Sequence, residues 1–144
     1  MIEDAKWRKI RGLSPRIKRA ALLALARGGN AGGGVTILLS SDVKLKKLNT
    51  TFRGKDKATN VLSFPARHDG YLGDVAIAYG VTAKEARAQK KRFADHALHL
   101  AVHGVLHLLG YDHVTARAAR VMEPLETSIL GELGIGDPYA GRAA

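Results

Sequence analysis

Between His96 and Gly110 every residue is a histidine, a glycine or an aliphatic side chain. At about 100° per residue, His96, His99, His103 and His107 share an arc of roughly 80°, and almost everything else on the segment is apolar. Such a stretch is a helix enclosed by the rest of the chain on most of its surface, with one stripe of imidazoles. It is too short to cross a bilayer, which takes roughly 20 apolar residues. A lone histidine in a helix of this kind is usually a satisfied core residue. Four on one stripe are harder to explain that way, because each ring nitrogen needs a partner.

His103 and His107 stand at i and i+4, a spacing that brings both rings onto one metal ion from a single helical face. Gly110 is then expected as the left-handed residue that ends the helix. Tyr111 and Asp112 reverse the chain, and His113 swings back as a third ligand. Three neutral imidazoles suit zinc and leave the fourth tetrahedral position for water, the mark of a catalytic site rather than a structural one. The plainer alternative is a three-histidine site that only pins the turn. The zinc-peptidase pattern HExxH has the same histidine spacing but needs a glutamate directly after the first histidine. Gly104 occupies that position, so peptide hydrolysis is disfavoured.

The charge distribution points to the partner. Lys and Arg number 23 against 13 Asp and Glu, a formal charge of +10. Up to Arg92 the chain carries 20 basic and 7 acidic residues, and beyond it 3 basic and 6 acidic. An excess of this size favours a polyanionic partner, nucleic acid ahead of membrane because no basic amphipathic anchor is present. Residues 43–57 and 84–92 hold the candidate basic surface. With no cysteine, a disulfide framework, a thiolate metal cluster and a cysteine nucleophile are all excluded. The start of the chain lacks an apolar signal core, so a soluble intracellular domain is expected.

Elsewhere the reading is ordinary. Ser14 and Pro15 predict the cap and first position of a helix over residues 16–27. The glycine-rich residues 28–34 form a loop that lacks the lysine and following helix of a phosphate-binding one. Residues 35–40 read as a buried strand, and Ser41-Asp42 as the cap of a helix running to about Asn49. Residues 51–59 are a polar connection. Residues 61–64 predict a strand stopped by Pro65, and residues 73–78 another, with His68-Asp69-Gly70 in the hairpin loop between them. Helix follows from about Thr82, breaks near residues 90–92 and resumes to Gly110. Residues 115–134 are helical, with Pro124 expected to kink or split them. The expected fold is α+β, a small mixed β-sheet with helices around the buried histidine-bearing helix, as one domain over residues 1–144.

The segment His103-Gly-Val-Leu-His107-Leu-Leu-Gly-Tyr-Asp-His113 resembles the signature of the YbeY family of bacterial rRNA maturation endoribonucleases. The block at residues 48–65, Leu-Asn-Thr-Thr-Phe-Arg-Gly-Lys-Asp-Lys-Ala-Thr-Asn-Val-Leu-Ser-Phe-Pro, is similar to that family's second signature. Residues 72–77 and the closing Gly136-Asp137-Pro138-Tyr139 are also similar. Relatives usually open with a full β-strand, of which Met1-Ile2-Glu3-Asp4 leaves little. The resemblance implies an α+β fold, one zinc ion per chain, cytoplasmic location and hydrolysis of single-stranded RNA. The implied role is rRNA maturation, notably at the 3′ end of small-subunit rRNA, and ribosome quality control. The ribosomal small subunit and an assembly GTPase are the partners it brings with it. The metal role carries onto His103, His107 and His113, and the arginine of the second signature onto Arg53.

An arginine suits phosphodiester hydrolysis, though the plainer reading of Arg53 is an ordinary surface arginine in a basic loop. A guanidinium clamps the spread negative charge of the transition state in bidentate fashion, and Arg53 is the candidate phosphate clamp. His99, one turn before His103, is a candidate to orient a ligand, hold substrate or accept a proton. It is equally a core or supporting histidine. Asp112 and Asp74 are further supporting candidates. The rival reading is a zinc-stabilised RNA-binding ribosome-assembly factor with little or no catalytic activity. The open metal position and Arg53 argue against it, since binding alone requires neither. A small-molecule hydrolase ranks third.

Overall fold

The structure, a computed structural model, describes residues 1–57, 59–112 and 114–139. Three strands form one sheet in the order β1-β3-β2, with β1 (Gly34–Ser40) parallel to β3 (Tyr71–Ala78) and β2 (Val61–His68) antiparallel to it. The helices are α1 (Leu13–Arg27), α2 (Asp42–Arg53), α3 (Tyr79–Ala88), α4 (Phe93–Leu108) and α5 (Ala116–Glu132), with a 3-10 turn at Ala5–Lys9. This is the expected α+β fold with a small mixed sheet.

Side chains of the central strand β3 alternate between two apolar layers, as the two-residue period of a strand requires. Val75 and Ile77 join the main core with α1, α4 and α5, whereas Ala76 and Ala78 pack with Leu45, Leu48 and Leu62 beneath α2. The histidine helix α4 lies against β2, β3, α1, α3 and α5, and ten of its residues are buried. The shortened first strand amounts to a single parallel bridge, Ile2 to Leu39. No helix among the described residues is long and apolar enough to cross a membrane.

Several boundaries differ from expectation. Helix α1 starts at Leu13 behind Gly12, and Ser14 makes no cap. Pro15 falls within the first turn, where backbone N–H groups have no helical partner to lose. Ser41 does cap α2, accepting from Lys44 N, but the helix runs past Asn49 to Arg53 and closes on Gly54. The first part of the expected polar connection is therefore helical. Strand β2 continues through Pro65 to His68. It can do so because β2 lies at the sheet edge, where a missing N–H breaks no inner ladder. Helix α3 begins directly after β3, and α5 is one element with Pro124 inside it.

Candidate metal centre and its cleft

Glycine at one position lets α4 sit on the sheet. A Cβ on Gly104 would overlap Val75 Cγ1 and stand 3.3 Å from Val61 Cγ2. The Gly104 carbonyl accepts a hydrogen bond from Ser63 Oγ at 2.9 Å, tying the helix to β2 between His103 and His107. The same contact leaves no room for a glutamate at residue 104, a steric reason beside the chemical one against a peptidase site. Helix α4 ends as expected at Gly110, whose φ is 101°. Gly110 N donates to His107 O and Tyr111 N to Leu106 O, the paired bonds of a Schellman cap.

Along the stripe the burial falls toward the helix end. His96 is buried, His99 and His103 are half-buried, and His107 is exposed. The His103 and His107 rings stack with centroids 6.2 Å apart and planes 14° from parallel. His113, the third expected ligand, lies outside the described residues.

Arg53 reaches the same place from a different helix. With Ser63, His99, His103, His107 and Tyr139 it lines a cleft of about 850 Å³. It arrives from the last turn of α2 rather than from a loop. Of the other basic groups expected to face RNA, Lys91 also lines this cleft and donates to Pro138 O at 3.1 Å.

The carboxylates that touch the histidines were missed in sequence. Asp74 instead accepts from the Tyr71 hydroxyl, and Asp112 from Val114 N. Glu126 on α5 is wholly buried. Its Oε2 lies 2.8 Å from His99 Nε2 and 3.2 Å from His103 Nδ1, and its Oε1 accepts from the Tyr139 hydroxyl at 2.9 Å. Burial pushes the Glu126 carboxyl up, but the hydrogen bonds and charges of His103 and His99 outweigh it and hold it at about 2. The sequence signal for Glu126 is its place on the apolar stripe Met122, Glu126, Ile129 and Leu130, where packing alone calls for an aliphatic residue. Nearer the start of α4, His96 Nε2 lies 2.9 Å from Glu85 of α3, which also accepts from Asn60 Nδ2 at 3.0 Å. Burial lowers the His96 pKa although Glu85 opposes the shift, so this histidine tends to neutrality.

The donor set fits a metal ion. His99, His103 and Glu126 each offer a ligand atom, all within 4.8 Å of one another. His103 and His107 present a second pair of imidazoles on the adjoining turn, at the spacing that zinc uses.

Residues 7–134 match the family model described as Endoribonuclease YbeY. Curated relatives named Endoribonuclease YbeY include one from Rhodopseudomonas palustris, 45% identical over 99% of this chain and 80% of its own length. Others come from Maricaulis maris, 42% identical over 96% and 89% of the two chains, and Paracoccus denitrificans, 44% identical over 96% and 87%. The solution structure of TM1509 from Thermotoga maritima shares the fold, with a TM-score of 0.57 at 24% identity over 99% of this chain and all of that one.

Proposed function

The chain belongs to the YbeY family of endoribonucleases, and from that premise we propose that it is a zinc-dependent endoribonuclease specific for single strands. Its proposed task is rRNA maturation, at the 3′ end of small-subunit rRNA, and ribosome quality control in the cytoplasm. The small subunit and an assembly GTPase are its proposed partners. In this reading the whole of residues 1–144 is one catalytic domain, and His103, His107 and His113 hold one zinc ion.

The observation that carries the reading is a shared cleft. The i, i+4 histidine pair of α4 and the guanidinium of Arg53 line one cavity although they come from distant parts of the chain. Bound zinc supplies a Lewis acid to a phosphoryl oxygen. Arg53 grips the same phosphate through its planar fork, and that grip tightens as negative charge develops. Val61 and Ser63 of β2 help to line the cleft, and Ser63 ties α4 to β2 through the Gly104 carbonyl. Lys and Arg of residues 43–57 and 84–92 draw the RNA strand in by displacing its condensed counterions.

The test is an end-blocked RNA oligonucleotide, offered to zinc-loaded protein as a single strand and as a duplex of the same sequence. Internal cleavage of the single strand alone is expected. Tight binding of the single strand without cleavage favours an assembly factor, and overturns the enzyme.

A further inference from the structure

We infer that Glu126, braced by Tyr139, is a positioning residue that sets the tautomers of two neighbouring histidines and thereby leaves His103 Nε2 as the atom that meets the metal. The inference rests on the zinc reading above and adds the device that aims one ligand.

A carboxylate can only accept hydrogen bonds. Glu126 Oε2 lies within hydrogen-bond distance of His99 Nε2 and of His103 Nδ1, so each of those nitrogens carries the hydrogen. In its neutral form, the form that binds a metal ion, an imidazole has one N–H. His99 is then the Nε2–H form with its lone pair on Nδ1, and His103 the Nδ1–H form with its lone pair on Nε2. One oxygen imposes opposite tautomers on adjacent turns of α4. The buried Nδ1 of His99 has no hydrogen-bond partner among the described residues.

The carboxylate is itself held. Tyr139 donates to Oε1, and its backbone N donates to Asp137 Oδ1 at 2.8 Å. Thr127 Oγ1 donates to the same Asp137 oxygen at 3.2 Å, and Lys91 Nζ to Pro138 O. The segment after α5 is thus strapped to α5 and to the α3–α4 turn, with Tyr139 pressing on Glu126. Burying a carboxylate on an apolar stripe is costly unless its oxygens are satisfied, and here three donors satisfy them. Carboxylates that accept from a ligating histidine orient the ring and raise its basicity.

Zinc affinity is measured by competition with a chelating dye, and the His103 tautomer by 15N imidazole NMR of the metal-free protein. Glu126→Leu suits the apolar stripe and removes the acceptor. Its zinc affinity is expected to fall about 10–100-fold with one ion still bound at saturation, and the His103 signal to become a tautomer mixture. In Glu126→Gln the amide oxygen accepts from both histidines while Tyr139 turns to accept from the amide N–H. Affinity within a few-fold of wild type and the Nδ1–H tautomer are expected, a readout that stands even where the leucine variant fails to fold. Wild-type affinity and tautomer in Glu126→Leu overturn the inference, as does a glutamine variant as weak as the leucine one. A parallel His107→Ala variant separates the two claims. Loss of zinc there keeps the zinc reading whatever Glu126 does. Retained zinc there, together with none in either Glu126 variant, makes Glu126 a ligand and overturns both.

Discussion

Gly104→Ala tests whether the close approach of α4 to the sheet governs the site. The new methyl overlaps Val75 Cγ1 and meets Val75 Cγ2 at 3.2 Å and Val61 Cγ2 at 3.3 Å. Val75 cannot swing aside, because it is β-branched and wholly buried on the central strand. Overpacking a rigid core costs about 1–3 kcal/mol, and a clash with a stiff side chain belongs near about 3. Replacing glycine by alanine inside a helix returns about 1 kcal/mol. The net loss is about 2 kcal/mol, or about 4–8 °C in Tm for a domain of this size. Urea unfolding of the metal-free protein, followed through its single tryptophan, Trp7, reads the change directly. In a Val75→Ala background the methyl has room, so Gly104→Ala should stabilise by about 1 kcal/mol, its bare helix propensity. The cycle then shows a coupling of about 3 kcal/mol, the upper range for touching residues. Equal stabilisation in both backgrounds would refute the packing account.

Three further outcomes are expected. Arg53→Ala should be folded and zinc-loaded yet slower on single-stranded RNA by about 100-fold or more. Arg53→Lys should fail as well, since an ammonium lacks the planar fork; wild-type rates would make Arg53 a bystander. RNA affinity measured by fluorescence anisotropy should drop steeply with salt, and a flat response would contradict the polyanion surface. Glu126 is held at about 2 against an ordinary 4.5. Its contribution to stability is therefore complete above pH 4.5 and lost as the pH falls toward about 2. Acid titration of metal-free protein should show that loss, and Glu126→Gln should lack it.

The fold was legible where the pattern was local and strong. The unbroken apolar run with four histidines specified α4, its Schellman end at Gly110 and its burial, and the run at residues 35–40 specified β1. Ends set by tertiary context were not legible. Ser14 looks like a cap, yet the preceding turn delivers the chain into a helix two residues earlier, with Gly12 at the cap and Leu13 first. Pro65 looks like a strand stop, and only the edge position of β2 makes it harmless. The site divides in the same way. His99, His103 and His107 share one helix, so spacing revealed them. Arg53 was legible through its motif, though its route to the cleft along the last turn of α2 was not. Glu126 and Tyr139 meet the histidines only through packing of α5 and the segment after it. A single glutamate on an apolar stripe was the one available signal for that contact.

The most direct test of the central claim uses wild-type protein and one single-stranded RNA in three metal states. Zinc-loaded protein should cut the RNA internally, protein stripped by a chelator and verified metal-free by elemental analysis should not, and zinc added back should restore cutting. Undiminished cleavage by verified metal-free protein would contradict the account.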